Sequence, residues 1–198
     1  NNITGCEGAR ATITVTVNAL PALPTVSNIG YCINEAATAL TATALANHIL
    51  QWYGTNSTGG TASATAPTPV TTVAGTTTYY VSQKSNATGC EGARASITVT
   101  VNALPAVNTP AATLQVGTIM TASPSTGGTW TSSDPAVATI TNAGLITGVS
   151  EGAVTFTFTK TVTGCTNTTA SVIVNDLPTV VIPSNKLCVG STMTLSPG

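Results

Sequence analysis

The sequence predicts an all-β protein built from tandem antiparallel β-sandwiches, and three observations predict it. Residues 2–21 (NITGCEGARATITVTVNALP) recur almost unchanged at 86–105 (NATGCEGARASITVTVNALP), and a looser copy, TGCTNTTASVIVNDLP, ends at Pro178. Within the copies apolar and polar residues alternate: Ile13, Val15 and Val17 share one side, Thr12, Thr14 and Thr16 the other. A period of two marks a strand with one buried face. The third observation is compositional. Of 198 residues 42% are hydrophobic and only 6% charged, for a net charge of −1. Disorder goes with low hydrophobicity and high net charge, so a chain of this balance folds.

The Leu-Pro that closes each copy ends its strand, because proline has no N–H to give a central ladder. It marks a unit boundary. Just beyond it, KLCVGSTMTLSPG (186–198) aligns without gaps on TLQVGTIMTASPS (113–125), and more loosely on GYCINEAATALTA (30–42). The chain is therefore expected to open on the last strand of one unit, over 1–20. Whole units follow at 23–102 and 105–175, and 178–198 holds the first strands of another. Each whole unit has roughly 70–80 residues, which suits a seven-stranded sandwich with a turn every 8–12 residues.

Trp52 and Trp130 fall near the third strand of their units, where one large ring fills the space between two sheets. GTTTYYVSQ (75–83) aligns with GAVTFTFTK (152–160), so Tyr79 and Val81 match Phe156 and Phe158 as core residues, leaving Tyr80 and Thr157 outside. Asn142-Ala143-Gly144 and the stretch from Gly148 to Gly152 supply turns, since glycine tolerates positive φ.

The chemistry of the side chains excludes more than it suggests. Five Lys and Arg spread over the length make no phosphate-binding stripe, which argues against nucleic acid and against an anionic membrane surface. No apolar run reaches the roughly 18–20 residues of a membrane helix. The single histidine, His48, is expected to be structural or solvated. The six carboxylates (Glu7, Glu35, Glu91, Asp134, Glu151, Asp176) do not cluster in sequence, so paired-carboxylate catalysis and calcium loops both lack their residues. Gly59-Gly60 and Gly127-Gly128 are followed by no Lys and no helix pattern, unlike phosphate loops. No enzyme, metal or cofactor is expected. The sequons at Asn2, Asn56, Asn86 and Asn167 are no more than the abundance of Asn and Thr produces. The alternating threonines are either a water-tolerant strand face or a flat hydroxyl-and-methyl array for a regular surface. Tyr53 and Tyr80 are the candidates for stacking on a sugar.

At this point a resemblance can be named. LQVGTIMTAS followed by WTSSDPAVATITNAGLITGVSEGAVTFTFT (130–159) resembles the bacterial group 2 Ig-like domain of intimin- and invasin-type adhesins. The first unit lacks the SSDPAVATI segment. Its GC…TVTVN…LP ending is similar instead to Cys-containing Ig-like repeats of giant surface adhesins, including those exported by a type IX route in gliding bacteria. The resemblance implies tandem immunoglobulin-like antiparallel β-sandwiches, an extracellular or cell-surface setting, and a stalk or adhesive role. The expected partners are neighbouring domains, other copies of the protein, or a surface polysaccharide. The alternatives are a fibre subunit completed by strand exchange and a carbohydrate-binding accessory of a secreted enzyme.

In an Ig-like sandwich, Cys32 belongs to the turn after the first strand, as does Cys188, whereas Cys90 belongs to the loop before the last strand. Those places lie roughly 20–25 Å apart for a strand of about seven residues, and a disulfide needs Cα atoms within about 7 Å. The early turn of one domain instead faces the late loop of the next. Pairing Cys32 with Cys165 gives Cys165 a partner that its own unit, with Gln115 at the early place, does not offer. Cys32–Cys90 within one unit and free thiols remain the alternatives, and Cys6, Cys90 and Cys188 would look to other domains.

Overall fold

A computed structural model describes residues 8–178 and, beyond them, residues 180–181, 189, 192 and 196–197. Every regular element in it is a β-strand. Contacts divide the chain into two compact units. The first gathers residues up to 29, 36–70 and 76–100; the second gathers 30–35, 71–75 and the residues from 101 onward. The sequence repeat and the compact unit therefore do not coincide.

In the first unit and its extension the strands are β1 (Thr25–Val26), β2 (Ile29–Cys32), β3 (Ala42–Thr43), β4 (His48–Trp52), β5 (Gly75–Ser85) and β6 (Ala95–Asn102). β1 pairs with β3, and the others form one sheet in the order β2-β6-β5-β4. The alternation in β6 is the source of its burial. Ile97 and Val99 are 1% exposed and Val101 7%, while Ser96, Thr98 and Thr100 are more open. Each such aliphatic side chain contributes on the order of 1.5–3 kcal/mol when fully buried. Trp52 is buried opposite Val81, its register partner on β5.

Tyr79 departs from expectation. β4 covers β5 from Val81 to Ser85 only, so Tyr79 lies past the edge of that pairing and is half-buried, like Tyr80. The buried residues of β5 are Val81, Ser82 and Gln83. The segment 8–20 departs further. It forms no strand, and its row Ile13, Val15 and Val17 is 84%, 80% and 90% exposed. The near-identical SITVTVN (96–102) is a packed strand in β6, because there β2 and β5 flank it. Alternation specifies a face; the strand itself needs neighbours for its ladder.

The second unit holds β7 (Thr113–Gln115), β8 (Ile119–Thr121), β9 (Gly128–Ser132), β10 (Ala138–Ile140), β11 (Leu145–Gly148), β12 (Gly152–Val154), β13 (Phe156–Lys160), β14 (Thr166–Thr168) and β15 (Val172–Asn175). Its sheets run β12-β15-β7, β14-β13-β9 and β10-β11-β8. β15 and β7 are parallel, the other pairs antiparallel. Trp130, Phe156, Phe158, Ile146, Val172 and Val174 are among the residues of one apolar core. Trp130 sits opposite Phe158, the ring centroids 5.1 Å apart and tilted by 58°. The indole N–H donates to the Pro124 carbonyl at 2.8 Å, so the buried ring leaves no polar atom unpaired. The Asn142-Ala143-Gly144 turn closes as expected on Gly144 (φ 81°), where a side chain would collide with the Ala122 carbonyl. Residues 180–181 and 196–197 form two short strands, β16 (Val180–Val181) and β17 (Ser196–Pro197), that pair with each other; the rest of the strands expected over 178–198 lies outside the described residues.

The alternating threonines of the second unit register across strands. Thr131, Thr157 and Thr168 form one row and Thr129, Thr159 and Thr166 the next. Thr157 and Thr168 share a hydroxyl–hydroxyl hydrogen bond of 2.8 Å.

Candidate functional site

The turn after β2 and the turn after β7 are built in the same way. In the first, Glu35 N–H donates to the Cys32 carbonyl (3.0 Å), Ile33 N–H to Asn102 (2.9 Å) and Asn34 N–H to Thr71 (2.9 Å). In the second, Thr118 N–H donates to Gln115 (3.1 Å), Val116 N–H to Asn175 (3.0 Å) and Gly117 N–H to Gly148 (3.0 Å). Asn34 and Gly117 both take positive φ, 64° and 79°. Cys32 and Gln115 thus occupy one structural place, the early turn. The Cys32 N–H is held by the Glu35 carboxylate at 2.7 Å.

The loops before the last strands match as closely. Gly89 N–H donates to Ser85 (2.9 Å) and Ser85 N–H to Cys90 (2.9 Å); Gly164 N–H donates to Lys160 (2.8 Å) and Lys160 N–H to Cys165 (2.9 Å). Gly89 and Gly164 share φ 71°. Cys90 N–H and Cys165 N–H each reach a threonine hydroxyl, Thr88 and Thr163, at 3.3 Å. Cys90 and Cys165 therefore hold the same late turn.

One bridge connects these places. Cys32 and Cys165 form a disulfide with Cα atoms 5.6 Å apart, closing a sequence separation of 133 residues. It runs from the early turn of the first sequence repeat to the late turn of the second, and contacts gather both turns into the second compact unit. The alternative Cys32–Cys90 pairing is not formed: Cys90 is a free, half-buried thiol. The reason is strand length. Ile33 is bonded to Asn102 at the end of β6, whereas Cys90 precedes the start of that strand at Ala95. Eight residues of strand at about 3.3 Å each separate the two ends. Cys6 and Cys188 lie outside the described residues.

The repeated Glu-Gly-Ala-Arg of the first repeat has a structural meaning that the scattered carboxylates did not suggest. Arg94 lies over the Tyr53 ring, 3.3 Å from its centroid, and donates at 2.7 Å to the carbonyls of Asn56 and Gly59. The Tyr53 and Ser82 hydroxyls both donate to one oxygen of Glu91. Burial alone would raise the Glu91 carboxyl. The Ser82 and Tyr53 hydrogen bonds, aided by the Arg94 and Lys84 charges, outweigh it and hold the group below the usual carboxylate value. Burial, then Glu91, pushes the Tyr53 phenol up. Gln83, wholly buried, anchors further chain: its side-chain amide donates to Ala22 and accepts from Leu45, both at 2.7 Å. Gly92 lets this chain approach, for a Cβ there would strike the Pro21 carbonyl. The sequence signal for this clamp is the recurrence of EGAR after two of the three GC pairs, at 7–10 and 91–94, and its absence after Cys165.

The remaining expected site residues do not assemble into a reactive centre. His48 is half-buried on β4 and bonds through Nδ1 to the Ala46 carbonyl at 2.8 Å. Tyr53, expected to be open to a sugar, has its ring face covered by Arg94 and its hydroxyl committed to Glu91. Tyr80 is half-buried, its backbone tied to Tyr53 and Gly54. A cleft of about 300 Å³ runs along residues 107–112 and 169–171 and is lined by no titratable side chain. Among the described residues no helix is long and apolar enough to cross a membrane.

Comparison with known proteins places these features. Residues 21–103 match the family model described as an Ig-like domain, CHU_C associated, and residues 95–172 match the bacterial Ig-like domain of group 2. No curated protein matches the chain in sequence. Solved structures similar to it include Sidekick-1 immunoglobulin domains 1–4 (13% identity, TM-score 0.34, covering 79% of this chain and 48% of that one). Another is the SGBP-B protein of the Bacteroides ovatus mixed-linkage glucan utilization locus, solved with a heptasaccharide (19%, TM-score 0.26, 79% and 46%). A third is the D00-D0 domain of intimin (12%, TM-score 0.30, 78% and 98%). The chain spans less than half the length of the first two. With the all-strand architecture, the two family matches support bacterial Ig-like repeats over residues 21–172.

Proposed function

We propose that the chain is a non-enzymatic stretch of an extracellular adhesin or stalk that carries a binding function away from the cell surface. The Cys32–Cys165 bridge carries this reading. Disulfides persist in oxidising compartments outside the cytosol, and a link from one repeat to the next suits a string of modules that must keep its connections under load. The test is the native polypeptide itself, probed with an antibody raised against this chain. Labelling of intact cells together with a denatured mass equivalent to thousands of residues is the expected result. A small polypeptide absent from the surface would overturn it.

A second reading, a self-assembling fibre subunit, draws on one observation. The exposed row Ile13, Val15 and Val17 repeats the sequence that packs as β6 when it has strands beside it. Donation of that row to the sheet of another copy would bury it by strand addition. Light scattering of the chain under reducing conditions tests this. Growth with concentration that is abolished by Val15→Lys supports it, and a monomer at every concentration overturns it.

A further inference from the structure

The two ends of the Cys32–Cys165 bridge are not equally open. Cys165 is 0% exposed, whereas Cys32, the last residue of β2, keeps part of its surface in contact with solvent. A thiolate that opens a disulfide strikes one sulfur and expels the other, and access decides which is struck. In the folded chain only the Cys32 end can be reached.

A charge is fixed beside that end. The Glu35 carboxylate accepts the Cys32 N–H at 2.7 Å. Three covalent bonds lead from that nitrogen to Sγ, so the carboxylate lies within about 7 Å of the sulfur. The Glu35 backbone is held on both sides: its N–H donates to the Cys32 carbonyl at 3.0 Å, and its carbonyl accepts the hydroxyl of the buried Thr71 at 2.6 Å. The turn after β7 shows that the charge is not needed to build the turn. There the equivalent N–H, of Gln115, is capped three residues on by the neutral Thr118 hydroxyl at 3.1 Å. The carboxylate stands only where the place is held by a cysteine.

We infer that Cys32 is the thiol-exchange site of this bridge and that Glu35 makes it selective by charge, admitting cationic and neutral small thiols ahead of anionic ones. The attacking thiolate forms a bond to the Cys32 sulfur. The Sγ–Sγ bond breaks, and its electron pair leaves on Cys165, which takes up a proton. A second thiolate then attacks the small thiol's sulfur in the mixed disulfide and releases Cys32 as a thiolate, which is protonated in turn. The bridge is reduced to two thiols while two small thiols are oxidised to one disulfide. Every attacking sulfur carries its own negative charge; what Glu35 distinguishes is the charge on the rest of the small molecule.

The test compares cysteamine, β-mercaptoethanol and mercaptoacetate as reductants of the native chain, each rate divided by the thiolate fraction and by the rate on an uncharged reference disulfide. The expected order is the aminothiol, then the alcohol, then the carboxylate, spread over roughly three- to tenfold for charges several ångströms apart near water. The spread should close in about 1 M salt, where the screening length is about 3 Å. It should also close in Glu35→Gln, which keeps the oxygen acceptor and loses the charge. Early samples quenched with N-ethylmaleimide and digested with trypsin should carry the small thiol on residues 11–84 and the maleimide on residues 161–186. The reverse labelling, equal rates for the three thiols, or an order that persists in Glu35→Gln overturns the inference. So does a reversed order, which would make the Lys160 ammonium on the late turn the governing charge. A rate independent of thiol concentration overturns it too, because the bond would then open only after unfolding. The labelling and the thiol order are read on the parent chain, so they decide the matter even where the variant fails to fold.

Discussion

Arg94 lies flat against Tyr53, 3.3 Å from the ring centroid, and its two terminal nitrogens hold the carbonyls of Asn56 and Gly59. One planar cation thereby fixes both the ring and the glycine-rich loop that follows it. Arg94→Ala is expected to destabilise the chain by about 1–2 kcal/mol, the scale of a cation–π contact and hydrogen bonds from a charged group at a partly exposed site. Arg94→Lys recovers only part of this, because an ammonium lacks the fork that reaches two carbonyls while stacking. Denaturant unfolding measures the loss. Faster amide exchange across residues 54–60 locates it.

Glu91 links stability to acid. Its folded pKa lies below the unfolded value, so its contribution is present above the ordinary carboxylate range and is lost as pH falls through the folded value. Tyr53 is shifted the other way. Its contribution is complete below the ordinary tyrosine value and is lost as pH rises through the raised one. Glu91→Gln is expected to flatten the acid limb and to be less stable than the parent at neutral pH. Urea midpoints measured from pH 7 down to pH 3 check it; parallel curves would remove Glu91 from the acid response.

Gly92 and Gly8 occupy the same position in the two EGAR copies, yet their surroundings differ. A methyl at Gly92 meets the Pro21 carbonyl, whereas at Gly8 nothing lies within 4 Å. Gly92→Ala is expected to cost about 1–3 kcal/mol, in the range of overpacking, and Gly8→Ala to leave the unfolding midpoint unchanged. Equal effects would mean that the two copies sit in equivalent environments.

The cysteines give a matching pair. Cys165→Ser removes a bridge that spans 133 residues and should lower stability by about 2–5 kcal/mol, since a long closed loop restricts the unfolded chain most. Cys90→Ser should leave the unfolding of the monomer unchanged. Unfolding of both variants and the parent, with and without reductant, is the measurement; reductant should act on the parent and not on Cys165→Ser.

The parts of this fold that were legible in the sequence are those set by local pattern. Alternation around Ile97, Val99 and Val101 specifies which face of β6 is buried, and Trp52 and Trp130 are large enough to read as core wherever they fall. Placing Cys32 near the turn, where it is the last residue of β2, gave the reach argument its force, because strand length then decides which sulfurs can meet. What escaped was set by neighbours. Nothing within the shared ITVTVN distinguishes the packed copy from the exposed one. Tyr79 and Val81 look equivalent until the length of β4 is known. Glu91 looked isolated because Tyr53 and Ser82 are 38 and 9 residues away along the chain and meet it only through the sheet.

The long span of the Cys32–Cys165 bond also sets the path of a pull on the chain. Tension applied from outside the two cysteines runs along the backbone to one sulfur, crosses the bond and leaves from the other. The polypeptide between them carries none of it. With 133 residues of separation and at most about 3.3–3.6 Å per extended residue, roughly 450 Å of contour is withheld from stretching while the bond lasts. A reducing agent would release that hidden length. Thiol chemistry, rather than the strength of any one sheet, would then govern how far this segment extends.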